Sequence, residues 1–191
     1  MRRMIGALVL AAGAGRRYGG PKQLAELDGR PLLEHALEAA AAAPVDRRLV
    51  VLGAGAADIL ARVPLHGAEP VLCPDWEHGQ AASLRAGLRA LEGVDAIVVV
   101  LGDQPLLSPG AITRVLAERG PGAEALRATY AGEADHPVVL ERSLFPRLLA
   151  LRGDAGARDV LREVVVREVP CDGLGRPDDV DTPEQLEVLR S

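Results

Sequence analysis

The chain has 191 residues, 48% hydrophobic and 26% charged, with a net charge of −5. That length suits one sizeable α/β core, and the composition is that of a globular chain rather than a disordered one. The acidic balance, with Tyr18, Trp76, Tyr130 and Phe145 as the only aromatic residues, leaves neither a basic surface for phosphate backbones nor stacking platforms for bases, so no nucleic-acid partner is expected.

No apolar run reaches the roughly 18 residues of a membrane span, so no membrane partner is expected either. Cys73 and Cys171 are far apart, and His35, His66, His78 and His136 lack ligand spacing, so a zinc site is not expected. The opening, with Arg2 and Arg3 ahead of an apolar run, resembles a signal peptide only faintly. Glycines and arginines follow it without a plausible cleavage site, so Ile5 to Ala11 reads as a buried first strand of a cytoplasmic protein.

That strand runs into Leu10 to Lys22, with glycines at 13, 15, 19 and 20 and cations at 16, 17 and 22. Glycines let backbone N–H groups approach an anion, and the arginines and lysine add to the field, so the loop suits a phosphate. It is not a P-loop, because Gln23 rather than Ser or Thr follows the lysine. Lys22 is the only lysine among 22 basic residues, which suggests a position where a compact ammonium, not a planar guanidinium, is wanted.

Helical period marks Leu32 to Ala43, ended by Pro44. A strand, Arg48 to Leu52, enters the cluster Gly53-Ala54-Gly55. The third glycine of a dinucleotide fingerprint is missing there, so a tight strand-to-helix turn is expected. Next come a strand at Pro70 to Cys73, a helix at Gln80 to Leu91, and Ala96 to Leu101, whose lack of polar alternation predicts a central strand buried on both faces. Asp103 stands at its exit, where a carboxylate is held over the crevice of an open sheet and can serve a hard cation or cap a turn.

A helix at Pro109 to Arg119, strands at Leu126 to Thr129 and Pro137 to Leu140, a helix at Ala157 to Glu163 and a strand at Val164 to Val169 follow. Cys171 to Asp179 reads as a loop, and a helix at Pro183 to Arg190 closes the chain. Before that last helix, Asp179 and Asp181 lie two apart and share one side if extended. Either could join Asp103 at a metal, and Asp181 or Thr182 could cap the helix. The alternation of strands and helices predicts a mostly parallel central sheet covered by helices on both faces, in one domain spanning 1–191.

These pieces resemble the MobA-like NTP transferase family, in particular its MocA-type branch of molybdenum cofactor cytidylyltransferases. The pattern LxAGxxxRxGxxK is met by Leu10, Ala12, Gly13, Arg17, Gly19 and Lys22, and Leu27 to Leu37 is similar to the helix that follows it. Pro74 to Gly87 resembles the segment that lines the nucleotide pocket, and "GDQP" and "DVDTPEQL" look like the two metal-bearing motifs.

The resemblance implies a three-layer α/β/α, Rossmann-like nucleotidyltransferase fold and a nucleotide site made of Leu10, Ala11, Ala12, Gly13, Ala14, Gly15, Arg17, Lys22, Gly79, Ser83 and Asp103. Arg17, Lys22 and Asp103 would be catalytic, and Mg²⁺ would sit between Asp103 and Asp181. The implied reaction moves a nucleoside monophosphate, CMP from CTP on the strength of Ala12, to a phosphorylated acceptor such as molybdopterin. His136, Asp154 and Arg158 would contact that acceptor, and a molybdenum hydroxylase apoenzyme is a further implied partner. Asp135 replaces the family glycine before His136-Pro137, which leaves the acceptor open unless that carboxylate turns away or pairs with an arginine such as Arg158. The alternatives are a transferase for a sugar or alcohol phosphate, a redox protein that binds a nicotinamide nucleotide, and a chaperone that delivers cofactor.

Overall fold

The computed structural model describes residues 3–190; Met1 and Arg2 of the basic opening, and Ser191, lie outside the described residues. The strands are β1 (Ile5–Ala11), β2 (Glu26–Leu27), β3 (Arg30–Pro31), β4 (Arg47–Leu52), β5 (Glu69–Leu72), β6 (Ala96–Leu101), β7 (Ala125–Tyr130), β8 (Glu133–Glu141) and β9 (Val166–Pro170). The helices are α1 (Leu32–Ala41), α2 (Ala56–Arg62), α3 (Gln80–Ala90), α4 (Pro109–Ala117), α5 (Phe145–Ala150), α6 (Ala157–Leu161) and α7 (Pro183–Arg190).

Seven strands form one sheet in the order β5-β4-β1-β6-β8-β7-β9. β1 pairs parallel with β4 and β6, β4 with β5, and β7 with β9, while β8 runs antiparallel to both its neighbours. The expected mostly parallel α/β sheet is therefore present. β2 and β3 form a separate hairpin.

The apolar runs of the central strands follow from burial on two faces. Ala7, Val9 and Ala11 of β1 and Ala96, Val98 and Val100 of β6 pack into one core with Leu33 and Leu37 of α1 and Ile112 and Val115 of α4. The alternate residues Leu8, Ile97 and Val99 pack into a second core with Leu84 and Leu88 of α3, Leu148 of α5 and Val160 of α6. Each fully buried Val or Leu contributes roughly 1.5–3 kcal/mol, so neither face can become polar without the fold losing a layer. A third, small cluster of Leu27, Leu32, Val180 and Leu186 ties α7 to the β2–β3 hairpin.

From β1 the chain builds outward through β4 to β5, then α3 carries it back to β6 on the other side of β1. This reversal opens a crevice beyond the carboxyl ends of β1 and β6, where ligands of open sheets bind.

Several elements depart from the sequence expectation. α1 stops at Ala41, ahead of the Ala43-Pro44 step that disfavours helical backbone. The β2–β3 hairpin turns on Asp28 (φ 52°) and Gly29 (φ 75°), an Asp-Gly turn whose flanking strands are too short to show a pattern. α5, unanticipated, starts on a proline-containing first turn and buries Leu148. β8 is longer than Pro137 to Leu140, and its register against β7 jumps so that Arg127 faces Val138 while Ala128 faces Asp135. His136 and Pro137 are the extra residues of this bulge.

Candidate functional site

The loop after β1 folds back on itself. The Gly15 carbonyl accepts from the N–H groups of Tyr18 (2.9 Å), Gly19 (3.0 Å) and Gly20 (3.3 Å). Gly15 has φ 63°, and a Cβ there would lie 2.1 Å from the Gly20 carbonyl oxygen, so glycine is required by both conformation and space. The N–H groups of Gly19 and Gly20 thus close the loop, while Gly13 and Gly15, the two glycines expected at the nucleotide, lie on the cleft wall. The parts of the loop that line the crevice are Leu10 to Arg17 and Lys22.

Gln23, not singled out from the sequence, fixes this stretch. It is 3% exposed, and its Nε2 donates to the carbonyls of Ala11 (2.9 Å) and Gly13 (2.7 Å). Nothing in its sequence setting marks it, since its role follows from burial.

The crevice is a cleft of about 550 Å³. Its walls include Leu10, Ala11, Ala12, Gly13, Ala14, Gly15, Arg17, Lys22, Gly79, Ser83, Asp103 and Asp154, together with Arg16, Gln23, Trp76 and Gln80, which the sequence did not nominate. Every residue expected at the nucleotide is therefore on one cavity wall. Gly79 (φ 90°) opens α3, and a Cβ on it would meet Asp154 Oδ1 and the Gly153 carbonyl oxygen, each at 2.4 Å. The Ala81 N–H donates to that same carbonyl at 3.2 Å. Gly53 lies outside the cleft. A Cβ there would meet the Ala12 carbonyl oxygen and Trp76 at 2.6 Å, so its role is close packing, as a strand-to-helix turn implies.

Asp103 follows β6 through Gly102, whose N–H donates to the Leu10 carbonyl at 2.9 Å and which has room for no side chain between Ala11 and Leu33. Lys22 Nζ lies 2.5 Å from Asp103 Oδ2 and 2.7 Å from Asp181 Oδ1. Arg17 Nη2 reaches Asp181 Oδ2 at 2.9 Å. Burial, the largest single influence on Lys22, works against its charge, but Asp103 and Asp181 together outweigh it and hold the lysine pKa above its ordinary value. The hydrogen bond from Lys22, with the nearby positive charges, holds the Asp181 pKa below the usual carboxylate value.

The structure separates the candidates before α7. The Val180 N–H donates to the Asp103 carbonyl at 3.0 Å, anchoring this segment beside β6. Thr182 Oγ1 accepts from the Gln185 N–H (3.3 Å) while Gln185 Oε1 accepts from the N–H groups of Asp181 and Thr182 (2.7 and 3.0 Å). Thr182 and Gln185 thus form a reciprocal capping box, which leaves the Asp181 carboxylate for Lys22. Asp179 does not share Asp181's place. It lines a second cleft, and burial followed by repulsion from Asp103 raises its pKa.

This second cleft, about 480 Å³, adjoins the first, with Leu10, Gln80, Leu101 and Asp154 on both walls. His136, Asp154 and Arg158, the expected acceptor residues, all line it. Among the described residues Arg158 makes no hydrogen bond or ion pair. Asp135 does not pair with it; Asp135 Oδ1 accepts from Gln104 Nε2 (3.0 Å) and from the His136 N–H (2.7 Å). Burial acts to raise the Asp135 pKa, but these hydrogen bonds and the His136 side chain overcome it and lower the value.

Two carboxylates within reach of one ammonium form an all-oxygen donor set of the kind a hard divalent cation takes from a protein when phosphates and water complete its shell. Among the described residues no group of three or more His, Cys, Asp or Glu side chains gathers to cage an ion alone. No helix among them is long and apolar enough to cross a membrane.

The sheet order, the glycine loop at the exit of β1 and the acidic residues beside it define a nucleotide-binding α/β domain of the nucleotidyltransferase class. The chain belongs to the MobA-like NTP transferase family, whose domain matches residues 7–169. It is 36% identical over 189 residues to nicotine blue oxidoreductase of Paenarthrobacter nicotinovorans, covering 94% of this chain and 93% of that one. Rv0371c from Mycobacterium tuberculosis H37Rv superposes with a TM-score of 0.89 at 34% identity, over 100% of this chain and 99% of the other. A structure of Rv0371c in complex with manganese gives 0.83 at 32% identity, over 97% of each chain.

Proposed function

We propose that this protein transfers a nucleoside monophosphate, CMP from CTP, to the terminal phosphate of a small molecule such as molybdopterin and releases pyrophosphate, in the cytoplasm. The observation that carries this reading is the contact of Lys22 and Asp103, both on the wall of the glycine-lined cleft, with Asp181 bound to the same ammonium. Asp103 and Asp181 would hold Mg²⁺, which when bound neutralises charge on the phosphate oxygens. Arg17 and Lys22 would bind the triphosphate, and Leu10 to Gly15 with Gly79 and Ser83 would enclose the nucleoside end.

The acceptor lies in the adjoining cleft, against His136, Asp154 and Arg158. Its phosphate oxygen attacks the α-phosphorus in line. The new O–P bond forms as the bond to the bridging β-phosphate oxygen breaks, and pyrophosphate leaves with that electron pair. Because the acceptor is already anionic no general base is required, and the protein supplies placement and charge. A molybdenum hydroxylase apoenzyme would receive the product. Pyrophosphate release from CTP and Mg²⁺ in the presence of molybdopterin tests the reading. Asp103→Ala should abolish release with folding intact, and undiminished release would remove Asp103 from the mechanism. An acceptor panel separates molybdopterin from sugar or alcohol phosphates.

A second reading is favoured by the 36% identity to a protein named an oxidoreductase. In it the same glycine loop takes the pyrophosphate of a nicotinamide nucleotide. Thermal stabilisation by NADH or NADPH, with none from CTP and Mg²⁺, would select it.

A further inference from the structure

The second cleft has an apolar floor and the Asp135 carboxylate on its wall. Leu10, Ala157 and Leu161, each only partly buried, line that floor and pack against the buried Leu84, Val99 and Val138 of the core. Asp135 sits on the lip of this floor, at the point where the β7–β8 register jumps.

Every hydrogen bond that Asp135 receives from the described residues falls on Oδ1: from Gln104 Nε2, from the His136 N–H and, at 3.4 Å, from His136 Nδ1. Gln104 is itself fully buried and is held by a second bond to the Pro177 carbonyl at 3.0 Å. The carboxylate is therefore fixed in orientation through one oxygen, and Oδ2 is left to accept from a molecule in the cleft. A fixed acceptor beside an apolar floor selects a ligand with a flat apolar face and a polar hydrogen at its edge. A polyol would leave hydroxyls unpaired against Leu10 and Leu161. Arg162 is engaged by Asp159 at 3.2 Å, whereas Arg158 remains for an anionic substituent.

We propose that Asp135 is the specificity-determining residue of this cleft, its Oδ2 accepting an N–H of an amino group on the edge of a planar nitrogen heterocycle laid on the Leu10–Leu161 floor. The proposal rests on the reading of this cleft as the acceptor site. In this arrangement Asp135 meets the ring edge and Arg158 the anion, so the carboxylate does not oppose an anionic acceptor.

The test uses two fluorescent probes, 6-carboxypterin and 6-carboxylumazine, which differ in carrying an amino group or an oxygen at one ring position. Fluorescence titration, without nucleotide, should show the wild type binding 6-carboxypterin about tenfold more tightly, the size of one charge-assisted hydrogen bond. Asp135→Asn and Asp135→Gly should bring the two affinities together, with circular dichroism reporting the fold. Should both variants unfold, Gln104→Ala keeps the carboxylate but loosens it, and 6-carboxypterin should then bind several-fold more weakly. Equal affinities in the wild type, a preference that survives in the variants, an unchanged Kd in Gln104→Ala, or no binding of either probe would each overturn the proposal. CTP binding without probe discrimination sinks this proposal alone. Probe discrimination without CTP binding sinks the transferase reading and leaves Asp135 its role.

Discussion

The ammonium of Lys22 lies 2.5 Å from the carboxylate of Asp103, although 81 residues separate them in the chain, and the same ammonium holds Asp181, 159 residues away. The side chains of Lys22, Asp103 and Asp181 are only 13%, 22% and 23% exposed, so this cation–carboxylate contact is shielded more than a surface pair. One cation thus stands where two acidic side chains converge, which is also where a divalent metal would be held.

Lys22 and a metal should therefore compete when no nucleotide is present. Lys22→Met is expected to lose about 1.5–3 kcal/mol of stability in chelator, from the lost charge-assisted bonds. Added Mn²⁺ should restore much of that loss, and Mn²⁺ affinity followed by electron paramagnetic resonance should exceed that of the wild type. Unchanged or weaker Mn²⁺ binding in Lys22→Met would mean that the carboxylates do not form the metal site.

Gly15→Ala places a methyl group against the Gly20 carbonyl oxygen in a left-handed conformation. Such a residue costs on the order of 1–3 kcal/mol, and the turn closed by the Gly15 carbonyl should open. A lowered urea midpoint together with weakened CTP binding is expected. Gly13→Ala, where a Cβ would meet no atom within 4 Å, is the matched control for stability. Equal midpoints for the two variants would contradict the strained-loop account.

Tyr130 donates its hydroxyl to the His136 carbonyl at 3.1 Å. Burial raises its pKa well above the ordinary phenol value, with Cys171 and Asp135 adding to the rise. The folded chain then holds the phenolic proton more tightly than the unfolded chain, whose tyrosines titrate near about pH 10. The associated stability is complete below that pH and is lost as the pH climbs toward the folded pKa. Urea unfolding from about pH 8 to about pH 11 should show an alkaline decline that is shallower in Tyr130→Phe. Parallel declines would assign the effect elsewhere.

Cys73 is 3% exposed and Cys171 is fully buried, and burial raises the Cys171 thiol pKa. A thiolate-selective reagent should label neither cysteine readily in the native protein and both in denaturant. Rapid native labelling of Cys171 would contradict its packing against β7 and β9.

Much of this arrangement was legible in the residues. The unbroken apolar run of β6 announced a central strand, and its exit located Asp103. Glycines and cations after β1 marked the cleft. The sequence left Asp179 and Asp181 equivalent, because a two-residue period carries no information about partners; the Val180–Asp103 backbone bond and the Thr182–Gln185 cap separate them. The insertion of β8 antiparallel between β6 and β7, and the bulge that presents His136, depend on long-range pairing that no local pattern encodes. Gln23 and Gln104 were missed for a related reason, since their importance lies in burial. α5 is too short for its periodicity to register.

The central claim, that the glycine-lined cleft and the two acidic segments serve one metal–nucleotide complex, is tested most directly by calorimetric titration of CTP into wild-type and Asp103→Asn protein, with and without Mg²⁺. The expected result is Mg²⁺-dependent binding to the wild type that weakens about tenfold or more in Asp103→Asn, the scale of one lost charged contact. CTP binding of equal strength with and without Mg²⁺, or in both proteins, would contradict it.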